Sequence, residues 1–277
     1  MSTQASQDSA SAPLDHLVAE VKASAKYRYV CADLVHSLVA QELGKRDERE
    51  IVKAVKNKLH QVGGAYLDHS PNYATWLHDL QAAQSDSPET FRAICSRMMR
   101  LHASTRERLP ILGPFYAEIL GTLPPIRSVV DVACGFNPLA IPWMPLAPQA
   151  TYTAIDIYED LMDFLAQAIA LCGLRPVTIA HSVLNDFPTL EPCDLALVLK
   201  AIPCLEQVDK TAGAHLLEQI QARHLLVSFP VHSLGGRSKG MASNYEAHFT
   251  ELVKEKAWSV QKFSFDTELA FLVTKQK

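Results

Sequence analysis

The sequence contains no G-x-G-x-x-G and no G-x-x-x-x-G-K-[ST] string, so it offers no glycine cradle for a pyrophosphate or a triphosphate. No apolar run reaches the length of a membrane span, so no membrane association is expected. The start, Met1 to Pro13, lacks the basic end and apolar centre of a signal peptide and reads as a polar, disordered tail. The six cysteines (Cys31, Cys95, Cys134, Cys172, Cys193, Cys204) form no C-x-x-C pair and no zinc-like spacing, which suits reduced thiols in a cytoplasmic protein. The 11 histidines include no H-x-x-x-H pair near acids, so no metal site is expected. Neither a heptad seam nor an apolar surface stripe is evident, and a monomer is expected. A strong positive field is missing too, since the net charge is −4. Residues 1–108 carry 14 lysines and arginines against 13 acids, whereas residues 109–277 carry 12 against 17. A polyanion would therefore have to bind through a local patch.

What is present is ample apolar material. With 277 residues, 48% hydrophobic and 20% charged, the chain can build one large domain or two smaller ones. Its central part alternates. Strands are expected near 128–133, 151–156, 177–181, 194–199 and 224–229, with helices between them, and Ser259–Phe265 and Glu268–Thr274 read as a hairpin turning at Asp266-Thr267. Ser128 to Ala133 has the β-branched content of a buried parallel strand. Gly135 follows it, free of a Cβ that would hold a ligand away from the backbone. Asp156 ends the second strand, 21 residues after Gly135, the spacing at which a carboxylate meets a ribose diol. One glycine and one ribose-binding acid, with no phosphate cradle, suit a nucleoside without phosphates, of which S-adenosyl-L-methionine is the common example. The bland alternative is an ordinary βαβ unit whose acid merely ends a strand.

Before the sheet the pattern is helical. Leu14 to Ala25, Cys31 to Leu43 and Glu48 to Gln61 repeat apolar residues at three- and four-residue intervals, and Gly63-Gly64 interrupts them. Ser70-Pro71 and Ser87-Pro88 predict helix starts, and Ser104-Thr105-Arg106-Glu107 predicts a capping box opening a helix toward Leu120. The expected layout is a disordered tail (1–13), an all-helical N-terminal domain (14–122) and a Rossmann-like α/β domain of the class I methyltransferase kind (123–277), five parallel strands followed by a hairpin.

Several strings resemble the aminoglycoside-resistance 16S rRNA (guanine-N7) methyltransferases. They are His102-Ala103-Ser104-Thr105-Arg106-Glu107-Arg108-Leu109, Ala133-Cys134-Gly135-Phe136-Asn137-Pro138-Leu139-Ala140, Lys200-Ala201-Ile202-Pro203-Cys204-Leu205-Glu206, Ser228-Phe229-Pro230, Ser233-Leu234-Gly235-Gly236-Arg237-Ser238-Lys239-Gly240-Met241 and Thr267-Glu268-Leu269. The likeness reaches back to Ser24-Ala25-Lys26-Tyr27 and to Leu59-His60-Gln61-Val62-Gly63-Gly64-Ala65-Tyr66. It implies methylation of guanine 1405 in the assembled 30S subunit with S-adenosyl-L-methionine, and an N-terminal domain that docks on the subunit. Implied cofactor-binding residues are Tyr66, His102, Ala103, Ser104, Arg108, Gly135, Asp156, Ser182, Val183, Leu199 and Gln207, with Arg108 pairing the methionine carboxylate through its planar fork. Implied substrate-binding residues are Lys200, Glu206, Arg237, Lys239, Met241 and Glu268.

Blander roles remain open beside these. Arg106 and Arg108 also read as solvated charges on a helix flank, Tyr66 as a core tyrosine, and Lys200 as a lysine snorkelling from a strand end. The Ser233–Met241 segment also reads as an ordinary connection. The basic residues Lys22, Lys26, Arg28, Lys45, Arg46, Arg49, Lys53, Lys56 and Lys58, among Tyr27 and Tyr29, read as solvated faces, and only the resemblance makes them an RNA-docking surface. The family commonly has an aspartate after the third strand to accept from the adenine amino group. Here Ser182 stands at that place, with Asp186 as a substitute acceptor if the loop is remodelled. The string after the fourth strand is not the Asn/Asp-Pro-Pro-aromatic one of exocyclic-amine methylation, which fits an acceptor that already holds a lone pair. Pro203-Cys204 raises the rival of thiolate attack on a pyrimidine, against a small buried cysteine. Two further alternatives are a small-molecule methyltransferase with a helical lid and a non-catalytic ribosome-binding factor.

Overall fold

The computed structural model describes residues 5–64, 71–184, 186–231 and 240–275, with side chains from Leu14 onward. Its seven strands are β1 (Ile126–Val132), β2 (Leu146–Asp156), β3 (Arg175–Ala180), β4 (Cys193–Leu199), β5 (Ala222–Pro230), β6 (Trp258–Ser264) and β7 (Glu268–Lys275). They form one sheet in the order β3-β2-β1-β4-β5-β7-β6. The first five are parallel; β7 is antiparallel to β5 and pairs in turn with β6. This is the class I methyltransferase layout expected from the sequence. Chain order reverses between β1 and β4, so a crevice opens beyond the ends of those strands.

Both faces of the sheet are covered. Alternate residues of the central strands point to opposite cores: Val129, Tyr152, Leu197 and Leu226 to one, Val130, Ile155, Val198 and Val227 to the other. Such strands read as continuous apolar runs because neither face meets water. The first core is closed by α4 (Tyr73–Asp86), α5 (Pro88–Met99), α7 (Leu112–Leu120) and α8 (Glu159–Leu171). The second is closed by α9 (Ile202–Leu205), α10 (Ala212–Gln219) and α11 (Met241–Val253).

A third core belongs to α1 (Ala5–Lys22), α2 (Ala32–Glu42) and α3 (Glu48–Leu59), where Leu17, Val21, Leu34, Leu38, Ile51, Val55 and Leu59 are buried together. Residues 14–59 thus have a hydrophobic centre of their own, while the helices from Tyr73 to Leu120 share theirs with the sheet. The helical bundle is tied to the sheet by backbone bonds. Cys31 N–H donates to the Ile157 carbonyl (2.7 Å), Glu159 N–H donates to the Tyr29 carbonyl (2.7 Å), and Val30 pairs antiparallel with Tyr158.

Three helix starts differ from expectation. Helix α1 begins at Ala5, inside the stretch read as a disordered tail, in keeping with its alanine and glutamine content. Helix α4 is capped by Asn72, whose side chain accepts from Thr75 N–H, so it begins after the expected Ser70-Pro71. The short α6 (Ala103–Arg108) starts at His102 with no side-chain cap, which puts Ser104 inside the helix and leaves the capping box unformed. Ser87 caps α5 as expected, accepting from Thr90 N–H.

Candidate active site

A cleft of about 800 Å³ lies beyond the ends of β1 to β4. The end of β1 supplies Ala133 and Gly135, both with a φ of 49°. Gly135 N–H donates to Asp156 Oδ2 (2.9 Å), and Ile157 N–H donates to Asp156 Oδ1 (2.7 Å). The amides of the two strand ends thus orient the carboxylate that the sequence marks for a ribose. Burial pushes the pKa of Asp156 up, while the bonds from Gly135, Ile157 and Tyr158 hold it back in part. A Cβ at residue 135 would stand 2.9 Å from the His102 ring, so the position demands glycine on two counts, the left-handed φ and the space.

The β3 end contributes His181, Ser182, Val183 and Leu184. Ser182 Oγ accepts from Leu184 N–H (3.4 Å) and its own N–H donates to Asp33 Oδ2 (3.1 Å). Asp33 also meets His181 Nδ1 (2.9 Å). Burial raises the Asp33 pKa, but the Cys31 thiol, the Ser182 amide and His181 outweigh it and the net direction is downward. Asp186 reaches His181 Nε2 (3.4 Å) and does not line the cleft, so it is no substitute for the missing acid.

The β4 end contributes Leu199, Lys200, Ala201, Cys204 and Leu205. Lys200 has a φ of 59°, and its ammonium turns inward to the Ser104 carbonyl (2.6 Å), Glu107 Oε2 (2.9 Å) and Glu268 Oε2 (3.5 Å). Cys204 Sγ donates to the Lys200 carbonyl (3.3 Å).

Behind this wall runs a buried polar network. Arg108 is fully buried; its Nη2 bonds Glu268 Oε1 (2.7 Å), its Nε bonds both Glu268 oxygens, and its Nη1 donates to Asn137 Oδ1 (2.8 Å). Tyr116 Oη donates to the same Asn137 oxygen (2.6 Å), and Asn137 Nδ2 and Tyr152 Oη both donate to Asp131 Oδ2 (2.8 and 2.7 Å). Burial pushes Asp131 up to about 7 against those bonds. Burial also raises Glu268, but Arg108 and Lys200 outweigh it and hold that carboxyl below its ordinary value.

Of the expected cofactor-binding residues, His102, Ser104, Gly135, Asp156, Ser182, Val183 and Leu199 line the cleft together. Ala103 is buried outside its lining. Arg108 differs: expected on the methionine carboxylate, its fork is instead filled by Glu268 and Asn137. Gln207 is exposed and off the cleft because the turn after α9 carries it outward. Tyr66, Arg237 and Lys239 lie outside the described residues.

Among the substrate-binding expectations, Lys200 lines the cleft but spends its charge inward, and Glu268 is fully buried rather than presented to RNA. Glu206 bonds His248 Nε2 (2.9 Å) across to α11, and Met241 opens α11 half-buried. Sequence reasoning missed Asp33, Ile157 and Tyr158. It read Gly63 only as a helix breaker, yet Gly63 lines the cleft where a Cβ would stand 2.9 Å from Tyr158 Oη. In the bundle, Lys26, Arg28, Lys45, Arg46, Arg49 and Lys53 are exposed. Arg28 lies over the exposed Tyr29 ring (5.4 Å), whereas Tyr27 is buried and donates to the Lys56 carbonyl (3.1 Å).

The cleft suits an adenosyl sulfonium. It offers one oriented carboxylate and largely apolar walls, and the ammonium of Lys200, the lysine among its described residues, is taken up by carboxylates. Among the described residues of its lining, phosphates would find no lysine or arginine other than Lys200. Among the described residues no helix is long and apolar enough to cross a membrane.

Comparison with known proteins agrees with this geometry. A 16S rRNA (guanine(1405)-N(7))-methyltransferase of Micromonospora echinospora is 36% identical over 279 residues, spanning 99% of this chain and 100% of the relative. One from Frankia casuarinae is 38% identical over 264 residues, spanning 94% and 93%. Among solved structures, the 16S rRNA methyltransferase RmtF in complex with S-adenosyl-L-homocysteine superposes with a TM-score of 0.77 at 30% identity, covering 96% of this chain and 98% of that one. The model of the ribosomal RNA methyltransferase (FmrO) family matches residues 23–272, and with a cleft at the switch point of a class I methyltransferase sheet, the chain belongs to that family.

Proposed function

We propose that this protein methylates N7 of guanine 1405 in 16S rRNA, acting on the assembled 30S subunit in the cytoplasm and so conferring aminoglycoside resistance. The cofactor, S-adenosylmethionine, supplies an electrophilic methyl group on a sulfonium. Asp156 and the Gly135 amide would hold its ribose, His181 to Leu184 its base, and His102 and Ser104 the methionine end.

The observation that carries the reading is the acceptor wall. Guanine N7 has an in-plane lone pair and no proton to lose, so its methylation needs orientation and exclusion of water rather than a general base. At the β4 end of the cleft the polar side chains are already engaged within the protein. The Lys200 ammonium is bound to Glu107 and Glu268, and the Cys204 thiol to the Lys200 carbonyl, so neither is arranged to take a proton from the acceptor. Arg237, Lys239 and Met241 would contact the RNA backbone and the flipped base, and the exposed cations of α3 and of the loops flanking α2 would dock on the subunit.

The test is incubation of the protein with radiolabelled cofactor and purified 30S subunits, followed by mapping of the modified base. Label at guanine 1405 is expected. Label at another base, label on free small molecules alone, or saturable subunit binding without label would overturn the proposal.

A further inference from the structure

The cofactor's base must lie near the end of β3. The ribose acid, Asp156, ends β2, and β3 is the next strand outward from it. The wall there is His181 to Leu184, and none of those side chains is a carboxylate. Among the described residues, the carboxylate that grips this turn from outside the loop comes from a different core. Asp33 stands in the first turn of α2, and 149 residues separate it from Ser182. An acid in a helix's first turn ordinarily serves the helix dipole or a cap. Here the N-cap residue of α2, Cys31, makes no side-chain cap bond, and the Asp33 carboxylate, besides meeting the Cys31 thiol and the Leu34 amide of its own helix start, reaches across to the Ser182 amide and to His181 Nδ1. Two residues earlier, Cys31 N–H holds the Ile157 carbonyl, and beyond it Tyr29 accepts from Glu159 N–H. The stretch from Tyr29 to Asp33 therefore spans the ends of β2 and β3, the two strands that meet the nucleoside.

We infer that Asp33 is a positioning residue for adenine recognition: its carboxylate fixes the His181–Ser182 turn so that the Ser182 hydroxyl and the backbone at Val183 face the edge of the base. The inference rests on the reading of the cleft as the adenosylmethionine site. It makes the helical bundle part of the cofactor pocket as well as a candidate docking surface, because α2, a helix of that bundle, carries the clasp.

The experiment compares S-adenosylhomocysteine with S-inosylhomocysteine, in which a carbonyl replaces the 6-amino group, by calorimetry on wild type, Asp33→Ala and Asp33→Asn. Wild type should prefer the adenine ligand. Asp33→Ala should bind that ligand about tenfold more weakly, the scale of one hydrogen bond lost to a buried group, and bind the inosine ligand within about twofold of wild type. Discrimination at the 6-position would thereby collapse, which a general loss of structure would not produce. Asp33→Asn keeps an acceptor for the Ser182 amide and should fall between the two in the same pattern; it carries the test alone if the alanine variant melts without ligand. Equal losses for both ligands, or no loss for either, would overturn the role of Asp33. Failure of wild type to bind either ligand would instead overturn the reading of the cleft.

Discussion

Replacing Glu268 by glutamine keeps the size of the side chain and removes the charge that faces Arg108. The Arg108 guanidinium is fully buried, three of its four described hydrogen bonds end on Glu268, and the Lys200 ammonium lies 3.5 Å from the same carboxylate. A glutamine would turn an amide toward those donors and leave two cations without their shared anion. Breaking a buried pair from one side costs about 3–5 kcal/mol, a large part of the roughly 5–15 kcal/mol that holds a typical domain. At about 2–4 °C per kcal/mol for a chain near this size, Glu268→Gln should melt roughly 10 °C below wild type. Arg108→Met should lose a comparable amount, because Glu268 would keep only the longer contact to Lys200. The double variant Arg108→Met/Glu268→Gln removes both charges and should be more stable than the two single losses added together, by at least about 1 kcal/mol. Urea unfolding followed by circular dichroism measures all four proteins. A Glu268→Gln loss under about 1 kcal/mol, or strict additivity in the double variant, would refute the reasoning. Weakened S-adenosylhomocysteine binding by a fully stable Arg108→Met protein would instead place Arg108 on the cofactor.

Gly135→Ala should weaken S-adenosylhomocysteine binding by calorimetry at least about tenfold, since a φ of 49° costs a non-glycine residue roughly 1–2 kcal/mol and the new methyl meets His102 at 2.9 Å. Adding His102→Ala should recover stability lost to the clash but not to the φ. Asp131 is raised to about 7 in the fold from an ordinary value near 4, so between those pH values the folded state holds the extra proton and stability falls as pH rises. Asp131→Asn should flatten the urea-unfolding free energy across that window by an amount on the order of 2–4 kcal/mol, and an unchanged pH profile would count against the buried charge. Cys204→Ala should keep most methyltransferase activity; near-total loss, together with a wild-type protein–RNA adduct, would overturn methylation at N7.

The parts of the structure legible in the sequence are those built from neighbours along the chain. β1, β4 and β5 show as apolar runs because both faces are buried, and the Asp266-Thr267 turn shows between two strand patterns, the mostly exposed β6 and the buried β7. Gly135 and Asp156 were visible through a spacing imposed by one crossover between parallel strands, which runs through a 3₁₀ helix (Asn137–Trp143). Long-range partners were not. Arg108 and Glu268 are 160 residues apart, and a guanidinium followed by a helical run looks the same whether it meets a ligand or another side chain. Asp33 carried no signal, because nothing local distinguishes an acid that serves its own helix from one that also serves a distant loop. The expected boundary near residue 122 followed the change from helical to alternating pattern. The packing follows apolar contact instead, so Phe115, Tyr116 and Ile119 belong to the sheet's core.

The two strained residues of the cleft help explain how this wall is held for an alkylation that needs no base. Ala133 follows β1 and Lys200 follows β4, the adjacent strands where chain order reverses, and each has a left-handed φ without being glycine. Such backbone costs about 1–2 kcal/mol per residue and persists only where the surroundings over-determine it. At Lys200 the surroundings are visible. Its N–H donates to the Ser228 carbonyl, its carbonyl accepts from Cys204, and its ammonium is drawn back to Ser104, Glu107 and Glu268. The side chain therefore points into the protein while the backbone turns toward the acceptor end of the cleft. A lysine reaching out for RNA would not need that turn, and a strand end without the buried anions would not sustain it. Orientation of an already nucleophilic nitrogen against a sulfonium methyl asks for a rigid surface, and the Arg108–Glu268–Lys200 network supplies it from behind.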